Sequence, residues 1–181
     1  MTQAQVLAAE SNSPVEVSER TGEVIVQFGS TKPAELDGRL VYIFANDKLV
    51  RTKYMFEAEH GDLNDFIRDF KIVEPALREQ YGKPSEEQAI WEDDSTQLES
   101  KPYLDQDRAT PANILPSDGL VGLAVSLGHL KLYTRWDGAR TKVLHALTGG
   151  NHQIAHQIEY RSVELRALED EVRQSGTKAV R

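Results

Sequence analysis

Residues 130–161 read LKLYTRWDGARTKVLHALTGGNHQIAHQIEYR, and the alternation in this stretch decides the fold. Leu130 to Trp136 alternates apolar with polar or cationic residues, as a strand with one buried face does. Asp137-Gly138 is a favoured central pair for a type I′ turn, because both positions need positive φ. Thr141 to Leu147 reads as the next strand, Gly149-Gly150 as a second tight turn, and His152 to Arg161 as a third strand. Two-residue loops then set Trp136 opposite Ala139 and Leu147 opposite His152. One face carries Leu130, Leu132, Thr134, Trp136, Thr141, Val143, His145, Leu147, His152, Ile154, His156, Ile158 and Tyr160. The other carries Lys131, Tyr133, Arg135, Arg140, Lys142, Gln153, Gln157, Glu159 and Arg161. The first set is expected inside and the second in water, and a one-residue slip would reverse both.

A competing reading joins Ile154, Ile158, Leu165, Leu168 and Val172 into one long heptad helix beginning at Gly149-Gly150-Asn151. Arg161 at a would-be core position counts against it.

Working outward, Ser162 is placed to cap a final helix, Val163–Gln174, with Gly176 past its end. Upstream, Val24 to Phe28 is β-branched and aromatic and reads as a strand. Leu40 to Phe44 and Leu49 to Phe56 form a hairpin around Asn46-Asp47, residues that tolerate left-handed backbone. Leu63, Phe66, Ile67, Phe70, Leu77 and Tyr81 recur at helical spacing after Asp62. Pro75 predicts a kink or two shorter helices, and Gly82 with Pro84 marks the stop. Residues 85–116 read as an irregular acidic stretch, and residues 117–128 fit a short helix or a strand.

These readings sum to one α+β domain at 23–162. Its antiparallel sheet of two hairpin or meander units, about six strands, packs against a central helix. Residues 1–22 are expected as a flexible arm, with a short helix at 2–10 as the alternative, and 163–181 as a C-terminal helix and tail.

The 181 residues are 39% hydrophobic and 28% charged, ordinary for a globular chain. A net charge of −8 without a dense Lys/Arg cluster argues against a nucleic-acid partner. With no cysteine, disulfides, thiolate metal sites and cysteine nucleophiles are excluded. No apolar run reaches membrane-span length. The first residues lack the basic start and apolar core of a signal peptide, so a cytoplasmic location is expected, or a periplasmic or envelope one if a signal sequence was removed.

His145, His152 and His156 fall on the inward face of the expected meander, and three imidazoles are a ligand set for zinc. The competing reading makes them structural, at the sheet rim or hydrogen-bonded to a covering helix. On the heptad reading His152 and His156 sit at i and i+4, but Gln153 stands where a zinc protease needs a general base. Asp93-Asp94 and Asp105-Gln106-Asp107 offer oxygen ligands without calcium-loop spacing. No phosphate loop, nucleophile elbow or dinucleotide fingerprint is present, so no catalytic residue and no cofactor is expected.

Several landmarks in order also carry a resemblance: Tyr42-Ile43-Phe44, Tyr54-Met55-Phe56, Tyr81-Gly82-Lys83-Pro84, Trp91, Gly128-His129-Leu130, Trp136 and Ile158-Glu159-Tyr160-Arg161-Ser162. Over residues 40–162 the chain resembles uncharacterised bacterial proteins, often envelope lipoproteins, with a Tyr-Gly-x-Pro turn and a C-terminal β-meander. The resemblance implies a bacterial source and a compact α+β fold, and no activity. The lipid-bearing cysteine of such lipoproteins has no counterpart here.

The expected function is a non-catalytic binding or protein-interaction module. A protein partner or a second copy would be met through Val163–Gln174 or the sheet edges. The alternatives are a metal-dependent hydrolase using the histidine face and a structural subunit of a larger assembly.

Overall fold

The computed structural model describes residues 1–20, 22–31, 33–93, 95–96, 110–115 and 119–178. In chain order its elements are α1 (Gln3–Ala9), β1 (Glu16–Arg20), β2 (Glu23–Thr31), a 3-10 turn (Pro33–Glu35), β3 (Gly38–Ala45), β4 (Lys48–Phe56), α2 (Asp65–Tyr81), β5 (Glu86–Trp91), α3 (Val121–Leu127), β6 (Leu130–Asp137), β7 (Thr141–Gly150), β8 (Gln153–Ser162) and α4 (Arg166–Lys178). The strands form one antiparallel sheet in the order β1-β2-β3-β4-β8-β7-β6-β5. Two meanders therefore meet at their last strands, β4 and β8, and their first strands are the two edges.

The α+β class holds, with eight strands among the described residues where about six were expected. The added strands are the edges. β1 has no clean apolar face, and β5 hides its inward face behind charge, since Glu87 pairs with Arg78 of α2 at 2.6 Å. Neither shows the alternation by which a half-buried strand is recognised.

Apart from His152, which lies exposed in a turn, the inward and outward sets of the C-terminal meander keep their faces, but the register differs. Trp136 lies opposite Val143, and Leu147 lies opposite His156. Each pairing is displaced by four residues, an even number, so side chains stay on the expected side. The turn residues are Asn151 and His152, at φ 52° and 62°, rather than Gly149 and Gly150, which remain in β7. Gly149 is needed there because a Cβ would stand 2.1 Å from the Val125 carbonyl oxygen of α3. At the other turn, Gly138 N–H donates to the Thr141 carbonyl at 3.1 Å, so Ala139 and Arg140 are the residues between, rather than Asp137 and Gly138.

One sheet face is covered by α1, α2 and α3. Ile67, Phe70, Val73 and Leu77 of α2 are buried against it. Of the kink or two shorter helices expected at Pro75, the two separate helices do not form: α2 runs as one helix through Pro75, which is exposed to solvent. Gly82 ends it at φ 76°, and the Gly82 carbonyl accepts from Trp136 Nε1 at 2.9 Å, tying the helix end to β6. Residues 121–127 take the helical alternative. Gly122 permits it: a Cβ would meet the Leu63 carbonyl carbon at 2.3 Å. Asn64 locks this approach, accepting from Gly122 N–H at 2.8 Å and donating to the Gly119 carbonyl at 3.0 Å. Of the 117–128 stretch, Ser117 and Asp118 lie outside the described residues, as do Asp94, Asp105 and Asp107.

Residues 1–20 hold more structure than a loose arm. Thr2 and Gln5 form a reciprocal capping box, and Val6 is buried against Val26, Phe28, Leu40 and Phe44.

On the opposite face lies α4. The Ser162 hydroxyl accepts from Leu165 N–H at 3.3 Å, so Ser162 starts the turn that leads into the helix. Val172 is buried against Val41, Ile43, Ala45 and Val50. The long heptad helix is not formed, because residues 153–162 are strand. Among the described residues no helix is long and apolar enough to cross a membrane.

Candidate binding surface

His145 and His156 sit on adjacent strands, β7 and β8, beneath α2. Their Nε2 atoms are 2.8 Å apart. The His145 ring stacks on Phe70 with centroids 3.9 Å apart, and His156 stacks on Phe56 at 4.1 Å. Burial holds both rings in the neutral form. His145 is pushed well below the usual imidazole range by desolvation and by its neighbour His156. Desolvation takes His156 down to about 3. Two neutral imidazoles joined through Nε2 need opposite tautomers, one donating and one accepting. Their Nδ1 atoms have no hydrogen-bond partner among the described residues.

The third histidine does not join them. His152 occupies the β7–β8 turn, exposed, with its backbone N–H donating to the Ser126 carbonyl at 3.0 Å. His152 is exposed in the turn while His145 and His156 are buried, so the three candidate ligands are not brought together. Among the described residues no group of three or more His, Asp or Glu is placed to hold a metal ion. The two remaining imidazoles are occupied with each other and with aromatic rings, as structural core groups.

The opposite face of the same strands is different. On this face α4 reaches the end of β8, where Glu169 meets Arg161, and a depression of about 470 Å³ lies beside the start of that helix, lined by residues of β6, β7 and β8. Leu144 and Ala146 of β7 make its floor, Tyr133 stands on one side, and Arg166 of α4 closes the other. Charge surrounds this floor. Glu159 receives Lys53 at 3.0 Å, Arg51 at 3.4 Å and Arg161 at 3.6 Å. Arg135 bonds Glu86 at 2.8 Å, and Lys142 bonds Asp137 at 3.2 Å.

Lys131, Tyr133, Arg135, Lys142, Gln157, Glu159 and Arg161 were already on the outward set by alternation. Leu144 and Ala146 were not singled out, although the same parity puts them there. Two adjacent apolar residues on a wet face were the available signal. Arg166 had no signal at all, since its place depends on how α4 docks.

That docking also changes the contacts open to Val163–Gln174. The apolar stripe of the helix faces the sheet through Val172, with Leu165 and Leu168 partly buried beside it. Glu169, 4% exposed, takes the Arg51 guanidinium and lies 3.4 Å from Arg161 Nε. No protein-family model, curated protein or solved structure matches this chain.

Proposed function

We propose that this protein is a non-catalytic binding module whose contact surface is the outward face of β6, β7 and β8. The observation that carries the reading is the depression floored by Leu144 and Ala146 and closed by Arg166. Its size suits a few side chains of a partner, and its charged rim suits orientation of that partner.

The test compares the wild-type chain with a Leu144→Glu/Ala146→Arg variant of matched circular dichroism and melting temperature. Both are immobilised and exposed to extract of the native host. A partner that binds the wild type saturably and is lost from the variant supports the proposal. Partners retained equally by both chains would overturn it.

A further inference from the structure

We infer that β1 is an association edge for a second copy of this chain, paired antiparallel about Ser18 to continue the sheet across a two-fold axis. The inference goes beyond the binding-module reading, since β1 is at the end of the sheet remote from the Leu144 floor.

The backbone pattern sets the geometry. Asn46 N–H donates to the Gly22 carbonyl at 2.9 Å, and β2 pairs with β3 in the same register, Val24 with Phe44 and Val26 with Tyr42. Even-numbered residues of β2 therefore bond to β3, and Glu23, Ile25 and Gln27 bond to β1. Their partners are Arg20, Ser18 and Glu16. By alternation, the N–H and C=O groups of Val17 and Glu19 point away from the sheet. They form a free row that another strand can bond.

The edge is short and carries charge, but two of the common safeguards are missing. Glu16–Arg20 contains neither proline nor lysine. Val15 is 67% exposed and Val17 is 48% exposed, among the most exposed large apolar residues described. The other edge, β5, is flanked instead: Glu87 shares a cavity with Thr110, Ala112 and Arg78.

The strand complements itself in one register. Pairing about Ser18 sets Val17 opposite Glu19 of the second copy and Glu19 opposite its Val17. Both are hydrogen-bonded pairs, and each such pair exchanges two bonds, so every outward group of Val17 and Glu19 is satisfied. The same register places Glu16 opposite position 20 of the second copy, an arginine in the sequence, on both sides of the axis. Pairing about Val17 would instead leave Glu19 opposite Val15, whose N–H is already given to the Gln27 carbonyl at 2.8 Å.

Sedimentation velocity of the full chain over a concentration series tests this. The wild type is expected to shift from monomer to dimer with concentration. Val17→Pro removes an outward N–H without touching the β1–β2 ladder and is expected to stay monomeric with an unchanged melting curve. Should that variant lose its fold, charge reversal keeps the test alive. Glu16→Arg is expected to weaken the dimer about tenfold by setting arginine opposite arginine twice, and Glu16→Arg with Arg20→Glu to restore it. Leu144→Glu/Ala146→Arg is expected to dimerise as the wild type does, which separates this edge from the groove. A wild type that remains monomeric throughout, or a dimer indifferent to both β1 changes, would overturn the inference.

Discussion

His145 Nε2 and His156 Nε2 meet at 2.8 Å inside the covered face of the sheet, each ring lying on a phenylalanine, Phe70 for the first and Phe56 for the second. Such a pair links stability to pH. In the unfolded chain both rings titrate near the usual 6.5, whereas in the folded chain His145 lies well below that value and His156 near 3, chiefly from desolvation. The unfolded state therefore takes up more protons as the pH falls below 6.5. The contribution of the pair is full above that pH and is lost progressively beneath it. The loss is expected at about 1.4 kcal/mol per pH unit for each ring that stays neutral. Urea unfolding at a series of pH values between 7.5 and 5 checks this, and a flat profile would contradict it.

Replacing both histidines is expected to cost less than the sum of the two single replacements. His145→Leu leaves His156 Nε2 buried without its partner, and His156→Leu does the same to His145. Each single change is expected to cost about 1–3 kcal/mol, while the double change, which removes both polar groups, lies closer to the wild type than the sum. A double-mutant cycle by denaturant unfolding measures the difference. Strict additivity would mean that the 2.8 Å contact contributes nothing. The acid sensitivity should vanish in the double variant.

Glu169 is the polar anchor of α4, joining Arg51 and Arg161 of the sheet while itself only 4% exposed. Glu169→Ala is expected to cost about 2 kcal/mol, because it strips a carboxylate from two partly buried guanidiniums that Glu159 alone then serves. The loss should be local. Amide exchange is expected to speed up in residues 166–178 and to remain slow in β7. Uniform loss of protection across the sheet would show that α4 and the sheet open as one unit.

Two glycines are required by close approach and a third is not. Gly122→Ala would place a methyl 2.3 Å from the Leu63 carbonyl carbon, and Gly149→Ala would place one 2.1 Å from the Val125 oxygen. Both press backbone on backbone, so each is expected to cost about 2 kcal/mol or more. Gly150→Ala meets nothing within 4 Å and is expected to be within about 0.5 kcal/mol of the wild type. Thermal melts of the three variants decide the point.

Much of the central fold was legible in local chemistry. The strands around Val143, the hairpin at Asn46-Asp47 and the stop at Gly82 follow from alternation, turn residues and helix-ending glycine, which act over a few neighbours. The edge strands were not legible, because an edge needs no buried face to mark it. For the binding surface, alternation assigned Tyr133 and Arg161 to the outward side, and attention to Leu144 and Ala146 would have found the floor. Nothing local could have placed Arg166 beside them.

What the sequence by itself determined is side: which residues of 130–161 face inward. An even-numbered shift in register leaves that assignment untouched, so it survived the relocation of both turns. What only the tertiary structure decided is proximity. Whether His145 has both His152 and His156 beside it, or His156 alone, depends on which pair of residues makes the turn. Gly149 stays in the strand, at a place beside the Val125 carbonyl where a residue with a Cβ would not fit. Contacts between distant segments set the register, and the register set which imidazoles touch.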